Sequence, residues 1–469
     1  MSNPTPQSWA NSGLDLLVDI DRGGGRGLRA GLEETLREAI RSGRLVAGTR
    51  LPPSRALARD LGISRGTVVQ AYGQLVAEGW LSGQRGSGTV VARTAAPGSS
   101  GGERREAMPT RWRFDMRPGR PDPSSFPRGE WLRALKQAFA IAPDDAFGYG
   151  SPQGRLELRT ELASYLARAR GLRVTAGDLL VTTGFTQSLV LMARTLAATG
   201  VRRVAVEAQS MALHREILRA AGHELVAIGV DADGARTHEL ESIDAGAVLL
   251  TPNRQHPTGA TLSAARRLQL LRWARSRGAI VIEDDYDGEF RYDGRPIGPL
   301  QGLDPGVVAY GGTTSKTLAP GVRLGWLAVP GDLREAVMAE KRRADWHAGA
   351  LDQLAFAELL RTNKYDGHVR RMRLHYQRRR DAVLAAVHPG LRVLGGAAGL
   401  NLLIPLEDPL QEAAILSAAR LEGLGLGGLI ADGFCEPPDS AGVIVGYAAA
   451  PRHAFDRAVE TLASVLGRQ

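Results

Sequence analysis

Lys316 is one of only four lysines in a chain with 59 basic side chains. It stands in AYGGTTSKTLAPGVRLGW, just after Thr313 and Ser315 and seven residues before Arg323. A lysine held in a desolvated pocket loses proton affinity and becomes a nucleophile towards aldehydes. Hydroxyls and a guanidinium beside it can hold a phosphate, the arginine as a planar fork. Two further apolar runs end in reactive groups. IVIEDDYD supplies Asp284 and, two residues on, the phenol of Tyr286. VTTGFTQS puts Gly184, Phe185 and Thr186 at the start of a helical pattern, where free N–H groups and the helix dipole favour an anion. A Schiff-base lysine, a phosphate cradle, a carboxylate for a ring nitrogen and a phenol for a ring hydroxyl are the parts that pyridoxal phosphate needs. Singly, each has a plain alternative: a Ser-Lys pair is usually surface, and Asp-Asp is usually a solvated turn. Lys136, Lys341 and Lys364 lack such neighbours. The conjunction of three loaded strand ends singles out Lys316.

Seven apolar runs of β type must position these groups: 179–184, 203–208, 223–230, 247–253, 279–286, 307–312 and 323–329. Helical patterns such as FTQSLVLMARTLAAT and SAARRLQLLRWARSR separate several of them. Continuous Val/Ile/Leu strands alternating with helices predict an α/β unit with a mostly parallel sheet buried on both faces. Ligands on such sheets sit at the carboxyl ends of strands.

Upstream, the chain has a different grammar. GLRAGLEETLREAIRSG spaces Leu32, Leu36 and Ile40 four apart, an amphipathic helix closed by Gly43. Ser54 can cap a short helix ending at Gly62, and Ser64 can cap a third helix with Val68, Val69, Tyr72, Leu75 and Val76 as its apolar face. WLSGQRGSGTVVA reads as a hairpin. Helix, helix, short turn, helix and hairpin make a winged helix-turn-helix. The third helix would bring Ser64, Arg65 and Thr67 to the major groove of operator DNA. Arg50 and Arg55 would hold phosphates, and Arg85 at the hairpin tip would reach a neighbouring groove. Residues 1–95 carry 12 arginines against 8 acids, so their placement counts for more than their number.

Between the two grammars lies TAAPGSSGGERREAMPT, rich in Gly, Ser, Pro and charge, which reads as a linker. The chain of 469 residues then divides into an extension (1–26), a winged helix (27–93), a linker (94–111) and a large unit (112–469). A net charge of +9 favours an anionic partner such as nucleic acid. The lone cysteine, Cys435, excludes an intrachain disulfide and suits a reducing compartment. No apolar run is long enough for a membrane span, and the N-terminus lacks the features of a secretory signal, so a cytoplasmic protein is expected.

LPPSRALARDLGISRGTVVQAYGQLVAEGWLSGQRGSGTVV closely resembles the DNA-binding domain of GntR-family regulators. GYGSPQGRLELRTELASYLARARGL, TPNRQHPTGATL, IEDDYDGEFRYDGRPIGPLQGLD and TTSKTLAPGVRLGW are similar to fold-type I aminotransferases. Together they look most like the MocR/GabR subfamily of GntR regulators. That resemblance implies a fold-type I aminotransferase-like domain with a smaller C-terminal α+β subdomain. It implies Lys316 as the internal aldimine lysine, Asp284 at the pyridine nitrogen and Tyr286 at the ring hydroxyl. Gly184, Phe185, Thr186, Thr313, Ser315 and Arg323 would surround the phosphate, and His256 stands where aminotransferases carry Asn. A homodimer is implied too, with Tyr149 reaching the neighbouring phosphate. Met211 lies at the place of a ring-stacking aromatic, and Asn401 stands where His is expected. GVIVGYAAA lacks the strand arginine that holds a substrate carboxylate, Arg452 being the nearest. The expected function is a transcription regulator that senses an effector amine by external aldimine formation. The alternatives are a working aminotransferase that carries a DNA-binding head, and a cofactor-free scaffold used for dimerisation.

Overall fold

The computed structural model describes residues 27–84, 88–92, 112–294, 297–436 and 440–467. The chain forms two compact units, Met1–Pro109 and Thr110–Gln469. The expected extension 1–26 and the whole of the expected linker 94–111 lie outside the described residues.

In the small unit, α1 (Leu28–Arg41), α2 (Ser54–Leu61) and α3 (Arg65–Ala77) precede a hairpin of β1 (Leu81–Gln84) and β2 (Gly88–Val91). The strands pair antiparallel from Leu81 opposite Val91 to Gln84 opposite Gly88. Leu32, Leu36 and Ile40 of α1 meet Val68, Tyr72 and Leu75 of α3 in one apolar cluster. Two expectations are corrected here. Val69 is 48 % exposed and Val76 is also exposed, because the buried stripe runs Val68, Ala71, Tyr72, Leu75 and each valine lies one residue off it. Ser54 is the first residue of α2, not its cap; Pro53 holds the cap position. Ser64 does cap α3, its Oγ accepting from the Thr67 N–H at 3.1 Å.

The large unit is built on a seven-stranded sheet. In chain order its elements are β3 (Leu179–Thr182), α4 (Phe185–Ala198), β4 (Arg203–Glu207), α5 (Ala212–Ala220), β5 (Glu224–Ile228), β6 (Ala247–Leu250), α6 (Ala264–Arg277), β7 (Ile280–Asp285), β8 (Val308–Thr313) and β9 (Gly325–Ala328). The spatial order is β3-β9-β8-β7-β6-β4-β5. Strands β8, β7, β6, β4 and β5 run parallel, and β9 is antiparallel to both of its neighbours. The reversal has a simple cause. Residues 314–324 hold only turns and a short 3-10 segment, too little for the crossover a parallel strand needs.

Strand alternation fills both faces. Val204, Val206, Leu249 and Ile282 join one apolar cluster, while Ala205, Val248, Leu250 and Val281 join another. Both faces are covered, which is why these strands read as unbroken apolar runs. A second sheet of β10 (Asn401–Leu406), β11 (Gly427–Gly428) and β12 (Ala441–Gly446) is antiparallel and packs its own core against helices Lys364–Ala386 and Phe455–Leu466. Among the described residues, no helix is long and apolar enough to cross a membrane.

Candidate functional site

The carboxyl ends of β7 and β8 and the start of α4 open into one cavity of about 270 Å³. Gly184, Phe185, Thr186, His256, Asp284, Tyr286, Thr313, Ser315, Lys316 and Arg323 all line it. Residues spread over some 140 positions of sequence thus converge on one space.

One end is arranged for an anion. Gly184 caps α4 with φ 124°, a conformation open to glycine. A Cβ there would lie 3.5 Å from Arg323 Nη1, an ordinary contact, so the backbone conformation asks for glycine and the guanidinium stands beside the helix start. Arg323 itself takes a left-handed backbone, φ 53°, which costs a non-glycine residue about 1–2 kcal/mol. Thr313 Oγ1 donates to Ser315 Oγ at 2.9 Å and accepts the Ser315 N–H at 3.1 Å, which fixes both hydroxyls at the rim. The Phe185 side chain turns away beneath Gly311, leaving its backbone N–H at the helix start.

The other end is arranged for an amine and a ring. Lys316 Nζ donates to the Gly119 carbonyl at 2.6 Å. Burial lowers the proton affinity of this ammonium, against the opposing pull of Asp287 and Asp284. Asp284 is 5 % exposed and its Oδ1 has no hydrogen-bond partner. Burial, reinforced by Asp285, raises the Asp284 pKa well above the carboxylate range, with Lys316 acting against it. Asp285 points the other way and is satisfied by Arg170 at 2.6 Å and by the Tyr310 hydroxyl at 2.8 Å. The Tyr286 hydroxyl accepts from Arg254 Nη1 at 2.8 Å and lies 3.4 Å from His256 Nδ1. The buried His256 ring meets Tyr286 and Phe434 edge-on, at centroid distances of 5.4 and 5.1 Å.

Sequence reasoning missed several groups here. Glu207 at the end of β4 is buried and accepts from the Thr251 N–H and hydroxyl at 3.1 and 2.8 Å; burial pushes its pKa up to about 7. His214, 8 % exposed, lines the cavity with its ring 5.2 Å from Phe185. Burial first, then Arg215 and Lys316, pull its pKa down to about 4. Its ring makes no hydrogen bond among the described residues. The signal was available: His214 lies three residues after Met211, in the first turn of the helix that Met211 precedes. Met211 also lines the cavity, at its rim. Asn401 does not; it is tied to Arg254 through Oδ1 and its carbonyl. Arg452 is exposed and does not line the cavity. Tyr149 is 94 % exposed and stacks edge-on with Trp346 at 6.4 Å.

On the small unit, Arg50, Arg55 and Arg65 are exposed and make no ion pair among the described residues. Arg37 provides the contrast, being held by Glu78 at 2.8 Å. Ser64 and Thr67 bond to each other through their hydroxyls at 2.8 Å, beside Arg65 at the start of α3. Arg85 lies outside the described residues.

Residues 28–91 match the family described as bacterial regulatory proteins, gntR family, and residues 122–421 match aminotransferase class I and II. The chain is 32% identical over 456 residues to the probable rhizopine catabolism regulatory protein MocR of Rhizobium meliloti, covering 92% of each chain. It is 34% identical over 396 residues to the pyridoxine biosynthesis regulator PdxR of Corynebacterium glutamicum, covering 83% of this chain and 85% of that protein. The crystal structure of Pyrococcus horikoshii kynurenine aminotransferase superposes with a TM-score of 0.68 at 26% identity, over 76% of this chain and 91% of that one. Head and body thus match the two expected families in the expected order, and the chain belongs to the MocR-type family of HTH transcription regulators, a GntR DNA-binding head followed by an aminotransferase class I and II domain.

Proposed function

We propose that this regulator binds pyridoxal phosphate in the large unit, senses a small amine there, and carries the response to operator DNA as a homodimer. The observation that carries the reading is Asp284 Oδ1, a buried carboxylate oxygen without a partner in the cavity that Lys316 lines. A buried acceptor left unpaired costs about 1–3 kcal/mol, and a protonated ring nitrogen would relieve that cost. The anion end fits the same group, because the Arg323 guanidinium stands beside Gly184 at the start of α4, where free N–H groups favour a phosphate.

Pyridoxal phosphate, when bound, supplies an aldehyde carbon that an amine can occupy. Lys316, with its lowered proton affinity, is the amine the protein provides. Asp284 holds a proton at the ring nitrogen, and Tyr286 and His256 face the ring hydroxyl. Gly184, Phe185 and Thr186 offer the start of α4 to the phosphate, joined by Thr313, Ser315 and Arg323. An arriving amine competes with Lys316. It can alter DNA binding only by binding one arrangement of the protein better than another. Arg65 would read bases, with Ser64 and Thr67 holding the start of α3 and Arg50 and Arg55 on phosphates. A homodimer is supported by exposed apolar side chains Phe139, Ile141, Phe147 and Tyr149 on neighbouring segments of the large unit.

The test is direct. Purified protein is treated with borohydride and its peptides are mapped by mass. A pyridoxyl adduct on Lys316 is expected; an adduct elsewhere, or none, refutes the reading. The Lys316→Ala variant is expected to lose the visible cofactor band and the amine response while retaining basal DNA binding. A working aminotransferase would use the same lysine and carboxylate, and sustained turnover of an amino donor with an oxoacid would favour it.

A further inference from the structure

Resting on the cofactor reading above, we infer that the effector is a small amine without a carboxylate, carrying neutral or hydroxyl-bearing substituents. Of the described residues that line the cavity, only Lys316 and Arg323 carry a positive charge. The cofactor claims both. The wall outside the residues assigned to the cofactor includes Pro118, Gly119, Ser210, Met211, His214 and Phe434. None of these offers a fixed cation, because burial keeps the His214 imidazole neutral.

Among the described residues, two buried guanidinium groups stand close behind this wall, and both are committed; a third, Arg120, next to Gly119 and near enough to act on Lys316, is exposed and leans on Asp115 at 3.6 Å. Arg254 is 3 % exposed; it donates from Nε to the Ala398 carbonyl at 2.8 Å, from Nη1 to Tyr286 at 2.8 Å and from Nη2 to the Asn401 carbonyl at 2.6 Å. It is also packed solid, since a Cβ on Gly399 would fall 2.2 Å from Arg254 Nε. Arg215 is buried; it holds the Ser210 and Gly433 carbonyls, each at 2.5 Å, and pairs with Glu436 at 3.2 Å. Turning either group into the cavity would strand two or more buried carbonyls. The stretch after β12 offers nothing instead: Tyr447, Ala448 and Ala450 are fully buried and uncharged, and Arg379 already holds the Ala448 carbonyl at 2.5 Å.

A carboxylate taken into this space would lose its hydration without gaining a buried counter-ion among the described residues, a cost of several kcal/mol. Glu207 and Asp284 in the same wall add no attraction for it. Hydroxyls fare differently. The His214 imidazole lines the cavity with no hydrogen-bond partner among the described residues, and a neutral imidazole can both donate and accept.

The experiment uses the full-length protein loaded with pyridoxal phosphate, so that any group supplied by a second copy is present. The visible band is titrated with matched pairs that differ by one carboxylate: serine and ethanolamine, alanine and ethylamine, phenylalanine and phenethylamine. Concentrations are expressed as unprotonated amine. In each pair that responds, the decarboxylated member is expected to shift the band at a concentration roughly tenfold lower or more, a difference of about 1.4 kcal/mol. The hydroxylated ethanolamine is expected to exceed ethylamine. An amino acid that matches or outperforms its amine, or a panel in which no amine shifts a normal band, overturns the inference while the cofactor reading stands. No band at all refutes the cofactor reading, and this inference with it.

Discussion

Asp284→Asn is expected to make the empty protein more stable and the cofactor bind less well. Asp284 is buried with one oxygen unpaired, and its folded-state pKa is raised well above the ordinary value by burial and by Asp285. A raised folded-state pKa contributes stability that is fully present below the unfolded value, near 4 for aspartate, and is lost as pH rises through the folded value. Each pKa unit of that gap is worth ~1.4 kcal/mol. Asparagine removes the titration and leaves a buried polar group of the same shape. The apoprotein variant should therefore gain about 1–3 kcal/mol at neutral pH, a rise of a few degrees in Tm, and the gain should vanish towards pH ~4. Cofactor binding should move the other way. Losing a charge-assisted hydrogen bond of about 1.5–3 kcal/mol weakens it roughly 10- to 150-fold. Calorimetry of apoprotein across this pH range, with fluorescence titration of pyridoxal phosphate, reads both effects. An apo variant less stable than wild type at neutral pH would refute the account of Asp284 as a buried carboxyl group with an unpaired oxygen. Unchanged cofactor affinity would refute its placement at the ring nitrogen.

Arg65→Ala should weaken binding to an operator fragment selected from random DNA and leave cofactor uptake intact. If the same group also neutralises a phosphate, the salt slope of binding should fall by about 0.9; unchanged affinity would displace α3 from the groove. His214→Ala removes the imidazole that lines the effector space and should narrow the advantage of ethanolamine over ethylamine by roughly two- to tenfold, taking about 0.5–1.5 kcal/mol for one hydrogen bond; an unaltered advantage would show that the imidazole does not meet the hydroxyl. Phe147→Asp places a charge on an exposed apolar patch and should shift the sedimentation of the protein from dimer towards monomer, whereas an unshifted dimer would move the interface elsewhere.

Much of the site could be read in sequence because its groups end apolar strands. Asp284 closes β7 one residue from its end, Lys316 follows β8, and Gly184 follows β3, so each motif carried its own structural address. Groups lacking such an address were missed. Gly119 contributes a backbone carbonyl, which has no side-chain signature. Arg254, which holds Tyr286 from behind the wall, and Phe434, packed on His256, come from loops that only tertiary packing brings together. Glu207 ended a recognised strand, but no chemistry in the immediate sequence called for it. The third helix shows the opposite error. Val69 and Val76 fit an apolar pattern drawn too wide, and only the narrower stripe through Val68, Ala71, Tyr72 and Leu75 faces the core.

The order of acids in IVIEDDYD explains why the functional carboxylate is Asp284 and not a neighbour. Side chains alternate along β7, so Glu283 and Asp285 share one face and Asp284 takes the other. Glu283 accepts the N–H groups of Leu300 and Gln301 at 2.9 and 3.1 Å. Asp285 has Arg170 and Tyr310, and Asp287 has Arg254 at 3.4 Å. Those acids are consumed in holding the scaffold. Asp284 alone of the four keeps a buried oxygen with no partner. A slip of one residue in β7 would turn Asp284 towards Arg170 and empty the cavity of its carboxylate. The register is pinned on both sides, by β6 from Ile280 opposite Ala247 and by β8 to Asp285 opposite Gly312. The apolar pairing that builds the sheet is thus also what leaves one charge unmatched at the place where a ligand can match it.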